Sequence, residues 1–454
     1  MRCCRSRERL WMAAYGMALA GADACPGQLW ADDMAMPAAP AAPATAPAEA
    51  PATAPAPRAL LMQGFDAIGW GQEMDKINLN IYGYAEVGFM YDTSPSSGNV
   101  HSPALALDPT GYNNFKNQGD LNQIDLTVER TVDPTKKEFD VGFRAEGIWG
   151  RDAADIHSNG IATDQNGVDQ FDPVQVYVDF AMPGAPLRLR LGKWIELAGF
   201  EQFSANIYNA FGDPSKNFYS HSYQFLYAEP GTQSGALLTY IASPAWTFDF
   251  GVTDGWNQST RDSNGAIDVV GRVTWTPADT GTTVIFNFTE GPEYSPAVGQ
   301  AVPPNSGDHS DWWTYLDLTL AQKIGDKLML GLGIDYVDAP HIPGNQGAQQ
   351  WGGITGYASY VLGPHLTLNG RSEWFRDDSQ FFALSGLGGT GGPTLATDVY
   401  SNTVGLAIKP MPDSKLFSGL LLRPEIRYDY ADQKVFGGGE HGQLVFSVDV
   451  LFQF

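Results

Sequence analysis

From Ile77 to the last residue, apolar and polar positions alternate with period two. The final twelve residues, QLVFSVDVLFQF (443–454), show the pattern plainly. Leu444, Phe446, Val448, Val450, Phe452 and Phe454 share one face of an extended strand. Gln443, Ser447, Asp449 and Gln453 share the other, with Val445 and Leu451 as apolar exceptions. Side chains of a strand alternate sides, so this stretch predicts a strand with one greasy face and one mixed face. INLNIYGYAEVGFMY (77–91) and EFDVGFRAEGIW (138–149) repeat the pattern. Comparable segments lie near 120–131, 173–181, 187–193, 234–242, 246–256, 265–275, 282–290, 311–321, 328–337, 351–362, 365–376, 396–408 and 417–430, giving about sixteen strands. Most approach the roughly 9–11 residues that a tilted strand needs to cross hydrocarbon.

The connections alternate as well. VDPTKK, MPGAP, SPA (243–245), TPADTG (276–281), KIGDK (323–327), GP (363–364) and KPMPDSK (409–415) each join an even strand to the next odd one. The odd-to-even connections 92–119, 150–172, 194–233, 291–310, 338–350, 377–395 and 431–442 are longer, and only 257–264 is brief. Short turns at one end and long loops at the other describe the periplasmic and external ends of an outer-membrane barrel. Aromatics of the apolar parity sort by end too. Tyr91, Trp149, Trp256, Trp312, Tyr336, Trp374 and Tyr428 fall near long loops; Trp246, Trp275, Tyr360 and Phe454 fall near short turns. Two such rings suit the two water–lipid interfaces. Asp254, on the lipid parity of strand seven, is the exception.

Composition narrows the class. With 27 basic and 51 acidic residues and a formal charge of -24, the chain lacks the basic face of a nucleic-acid binder. No apolar run reaches the roughly 18 residues of a membrane helix. Arg2, Arg5, Arg7 and Arg9 precede a short apolar core, LWMAAYGMALA (10–20), and a small-x-small site, Ala22-Asp23-Ala24, before Cys25. That is an export signal by pattern. Residues 35–58 form an Ala/Pro tract, an extended spacer because recurrent Pro stops helix propagation. All three cysteines lie at 3, 4 and 25, which leaves no disulfide framework; Ala22 and Asp23 make a poor lipidation box for Cys25.

The block LRLRLGKWIELAGFEQFSANIYN (187–209), followed by DPSKNFYSHSYQFLYAEPGTQSGALLTY (213–240), resembles the OmpL-like putative beta-barrel porins of Gram-negative outer membranes. GVTDGWNQS (251–259) and NIYGYAEVGF (80–89) are also similar to that family. The resemblance runs from about Ile77 to Phe454 and implies passive diffusion of small solutes across the outer membrane. It carries no catalytic residues.

Eight strands fill their own barrel, whereas sixteen to eighteen leave a water channel. The inward parity holds Arg144, Glu146, Arg188, Arg190, Arg272, Arg371, Glu373, Arg423, Glu425 and Arg427, the candidate pore-lining charges. Facing lipid at the midplane, an Arg costs about 2–4 kcal/mol, so these face water or carboxylates. A transverse field across the channel and a set of structural ion pairs both fit, and both stay open. The connection 194–233 is the candidate constriction, with Glu201, Tyr208, Tyr219, Tyr223 and Tyr227 among its polar and aromatic residues. Its aromatic content argues against disorder and favours folding into the lumen over an external lid or an extra hairpin.

Other chemistry is weakly signalled. The seven histidines, at 101, 157, 221, 309, 341, 365 and 441, show no metal-ligand spacing. Asp152 with Asp155, and Asp377 with Asp378, read as solvated loop charge rather than a calcium site. GLGGTGG (386–392) lacks the Lys-Ser/Thr of a phosphate loop, and no nucleophile elbow appears. The expected fold class is all-β: a transmembrane antiparallel up-and-down β-barrel of about sixteen strands. Residues 1–24 are expected to be a signal peptide, 25–58 an Ala/Pro-rich periplasmic spacer, 59–76 a short periplasmic segment forming an amphipathic turn or helix, and 77–454 the barrel. The expected protein is a non-enzymatic bacterial outer-membrane porin without cofactor or metal, in contact with outer-membrane lipid and small hydrophilic solutes or ions. A homotrimer is expected only by analogy with other sixteen-strand porins. The alternative is an occluded barrel acting as a structural or adhesive envelope protein; a barrel hydrolase ranks below both.

Overall fold

The computed structural model describes residues 58–93, 117–163, 165, 167–201, 216, 218–262, 264–293, 312–339, 349–378, 396–436 and 440–454. The expected signal and most of the spacer lie outside these residues, as do Tyr208, the 386–392 glycine run and most of the longest external connections. Two short helices lead in, α1 (Leu60–Ala67) and α2 (Gly71–Lys76). Gly69, at φ +84°, turns the chain between them. Met62 of α1 is buried, and its sulfur accepts the Ile81 amide at 3.3 Å.

The strands follow at the expected places: β1 (Leu79–Asp92), β2 (Gln118–Arg130), β3 (Asp140–Gly150), β4 (Gln170–Ala181), β5 (Leu187–Ile195), β6 (Thr232–Ser243), β7 (Trp246–Thr253), β8 (Asp268–Trp275), β9 (Thr282–Pro292), β10 (Trp312–Ile324), β11 (Leu328–Ala339), β12 (Gln349–Gly363), β13 (Leu366–Asp377), β14 (Thr397–Ile408), β15 (Leu420–Leu422), β16 (Glu425–Ala431) and β17 (Gly442–Gln453). Each pairs antiparallel with its neighbours in one sheet, and β1 pairs with both β2 and β17. β15 and β16 lie end to end between β14 and β17. The run expected as one strand over 417–430 is thus interrupted at Arg423-Pro424, where proline has no N–H for the ladder. The closed barrel therefore has sixteen staves. The last residue completes the seam: Gly83 N donates to Phe454 O (3.0 Å) and Phe454 N donates to Gly83 O (2.9 Å). Closure leaves no unpaired edge, as hydrocarbon requires.

The barrel is apolar outside and polar inside. Val87, Phe143, Val178, Phe250, Leu318, Ile354, Val404, Ile426 and Val450 are exposed around the outer wall. Glu86, Asp125, Glu146, Asp179, Asp249, Asp317, Glu373 and Asp449 are buried. A continuous apolar belt of that extent marks contact with another apolar phase. Tyr91, Trp149, Trp312 and Tyr428 are exposed near the long connections, and Trp246, Trp275 and Tyr360 near the short turns. Trp256 departs from the expectation. β7 stops at Thr253, so the period-two parity no longer governs Asp254 or Trp256. Trp256 is buried and meets Trp313 and Tyr315 edge-on at 5.5 Å each.

Candidate functional site

The described parts of the connection between β5 and β6 (196–201, 216 and 218–231) lie against the inner wall. They touch inward residues of β2, β10, β12, β13 and β16. These contacts place the described parts inside the barrel; 202–215 and 217 lie outside the described residues.

Glu201 is the hub of that contact. Its carboxylate accepts Arg371 Nη1 (3.2 Å), Tyr357 OH (2.8 Å) and the Ser222 amide (3.0 and 3.1 Å to its two oxygens), and lies 2.9 Å from His221 Nδ1. Burial works to raise its pKa, but the charge of Arg371 and the bond from His221 hold it down at about 2. Arg371 also donates to Ser220 O (2.6 Å), Ser220 Oγ (2.9 Å) and His221 O (3.1 Å). One wall guanidinium thus binds Glu201, Ser220 and His221 of the segment.

Wall carboxylates hold its backbone. Glu425 accepts the amides of Tyr219 and Ser220, each at 3.1 Å. Glu373 accepts those of Tyr223 (2.9 Å) and Gln224 (2.7 Å). These two amides open a short helix, α3 (Tyr223–Tyr227), whose first-turn N–H groups have no helical acceptor. Ser222 caps it by accepting the Phe225 amide at 3.2 Å. Arg423 donates to Lys216 O (3.0 Å), Glu86 (2.6 Å) and Asp449 (2.6 Å). Arg427 pairs with Asp429 (2.8 Å), donates to His221 O and lies 4.7 Å over the Tyr223 ring.

Tyr219, Tyr223 and Tyr227 are all placed inside. Tyr219 OH donates to Asn122 Oδ1 (3.3 Å) and sits where a side chain on Gly88 of β1 would otherwise project. Tyr223 and Tyr227 stack at 6.1 Å and pack on Phe375.

The ten inward charges divide into two groups. Arg144, Glu146, Arg371, Glu373, Arg423, Glu425 and Arg427 are buried. Arg188, Arg190 and Arg272 keep partial exposure. The i, i+2 spacing gives a pair for Arg144 with Glu146 (2.6 Å) and for Arg427 with Asp429. Arg371 instead goes to Glu201, and Arg423 to Glu86 and Asp449.

Several participants escape period-two reasoning. His221, Ser220 and Ser222 act largely through backbone groups, and Tyr357 is one inward tyrosine among many. Of the other histidines, His157 lies between Asp172 (2.9 Å) and Gln170 (2.7 Å). Asp152 accepts from Asn122 and Gln123. Among the described residues, no group of three or more His, Cys, Asp or Glu is placed to hold a metal ion.

The sequence pattern of the family described as Putative beta-barrel porin-2, OmpL-like, matches residues 78–454. Among solved structures, the high-pH form of Pseudomonas putida OprB is similar over 86% of this chain and 97% of its own, at 14% identity and a TM-score of 0.51. The anion-selective porin from Comamonas acidovorans is similar over 83% of this chain and 99% of its own, at 13% identity and a TM-score of 0.50. At such identities the likeness shows the fold alone. No curated protein sequence matches the chain.

Proposed function

The chain belongs to the Putative beta-barrel porin-2, OmpL-like family, and from that premise we propose that it is an outer-membrane porin for passive diffusion of small hydrophilic solutes or ions. The carrying observation is the inside-out wall: sixteen closed staves with exposed apolar residues outward and charged residues inward. A barrel of that strand number encloses more space than its own side chains fill, and the 196–231 segment narrows it. Single-channel recording of the purified protein tests the reading. Discrete conductance steps are expected, and they should enlarge when part of 200–228 is deleted. A folded barrel that never conducts would end it.

The pinning of the segment by Arg371, Glu373 and Glu425 favours a second reading, an occluded barrel with a structural or adhesive role. The same recording separates the two. We also propose that 1–24 is an export signal and 25–58 a periplasmic spacer, on their residue pattern; N-terminal sequencing of protein from outer membranes should begin at Cys25. The proposed assembly is a homotrimer, by analogy with other sixteen-strand porins only, with mass measurement of the detergent-extracted protein as its test. Lipid of the outer membrane covers the apolar belt, and no catalytic group or cofactor is assigned.

A further inference from the structure

A register row crosses the inner wall, starting near the short-turn end at β5 and running to mid-strand: Arg188 of β5 faces Thr239 of β6, then Asp249 of β7, Arg272 of β8, Asn287 of β9, Asp317 of β10 and Asp335 of β11. Arg190, two residues along β5, is the Cα partner of Asp179 on β4. Opposite charges alternate from β4 to β8, but not at equal depth. The Arg188 and Arg272 side chains are 25% and 26% exposed and that of Arg190 13%, against 10% for Asp179 and 0% for Asp249. Asp317 and Asp335 are each 1% exposed, and Gly199 of the inner segment donates to Asp317 at 3.3 Å.

The bonds explain the layering. Asp249 lies against the wall, accepting Thr239 Oγ1 and Arg272 Nε (2.9 Å). Among the described residues, the two Nη groups of Arg272 make no hydrogen bond. Asp179 is gripped by Arg190 through Nε (2.9 Å) and Nη2 (3.0 Å), and the Arg190 guanidinium lies 3.6 Å over the Tyr177 ring. Arg188 donates to Thr239 at 3.0 Å and is 3.8 Å from Asp179. Glu129 on β2, 18% exposed, is held by Arg144 at 3.1 Å. Asp249 is tied down beneath Arg272 and Asp179 lies under Arg190, so along β5–β8 a passing solute meets the cation first; at Glu129 the order is reversed, since its partner Arg144 is 6% exposed.

We propose that Arg188, Arg190 and Arg272 form an anion-attracting track on the β5–β8 wall, which makes the channel selective for small anions. This rests on the porin reading above and adds the sign of its solute. Guanidinium forks suit carboxylate and phosphate oxygens, and rings of Arg or Lys select anions in pores. The overall charge of -24 does not oppose this, because selectivity follows the charges that face the water path.

The test is the reversal potential of the purified full-length protein in a planar bilayer under a potassium chloride gradient. Wild type should favour chloride over potassium. Arg188→Gln with Arg272→Gln should lower that ratio by at least about twofold, while Arg272→Lys should keep it. Asp249→Asn, which removes the negative charge paired with Arg272 while keeping all three arginines, should raise it. Potassium preference in wild type, or an unchanged ratio in a conducting double variant, overturns the track while leaving the porin reading intact. A folded wild-type barrel without conductance overturns both.

Discussion

Arg371 of β13 and Glu201 of the inner segment are 170 residues apart in sequence and 3.2 Å apart at Nη1 and Oε1. Their side chains are 1% and 4% exposed. Removing one partner of a buried pair leaves the other uncompensated, at about 3–5 kcal/mol. Glu201→Ala should lower the denaturant midpoint of the detergent-folded barrel and raise its conductance as the segment loosens. A folded variant with wild-type conductance would mean that this segment does not limit passage.

The same pair predicts an acid response. The folded pKa of Glu201, at about 2, lies below its ordinary 4.5. Its contribution to anchoring is therefore complete above pH 4.5 and fades as pH falls toward 2. Wild-type conductance should rise across that window. Glu201→Gln, which cannot titrate, should start higher at neutral pH and lose this part of the response; identical pH curves would contradict the assignment.

Gly88 makes room for Tyr219. A Cβ built there runs into the Tyr219 hydroxyl and the Asn122 side chain. Gly88→Val should displace Tyr219 while leaving the outer wall unchanged. Protease cleavage within 202–217 of the folded protein should then quicken, and equal cleavage rates would count against the packing.

Depth in the membrane should set the cost of outward charge. Val404, 60% exposed, lies mid-strand in β14, whereas Tyr428 lies toward the long-connection end of β16. Val404→Arg should cost about 2–4 kcal/mol in vesicle-folding titrations, against about 0–1 for Tyr428→Arg. Equal costs would argue against a lipid-facing belt at this register.

Seam closure is testable at the last residue. Deleting Phe454 removes both backbone bonds to Gly83. The shortened chain should fold more slowly into vesicles and show a lower midpoint in denaturant, measured by heat-dependent gel migration.

Much of the site was visible as inward parity, but the partners were not. Arg144 with Glu146 and Arg427 with Asp429 pair as i, i+2 spacing suggests, because both residues share one face of one strand. Arg371 has Glu373 at the same spacing, yet Glu373 accepts the Tyr223 and Gln224 amides and Arg371 turns to Glu201. Nothing local distinguishes these cases. The choice depends on which strands the 196–231 segment reaches, a long-range fact.

The sequence alone determined the staves, their faces and the two kinds of connection, since each follows from period two or chain length; the break at Pro424 within 417–430 emerged only in the structure. Trp256 marks where that logic stops: past the end of β7 the parity lapses and the ring turns inward. Tertiary structure alone decided which inward charges are buried under the segment and which stay exposed at Arg188, Arg190 and Arg272. Exposure depends on what lies across the lumen, and residues meeting there come from chain positions that no periodicity relates.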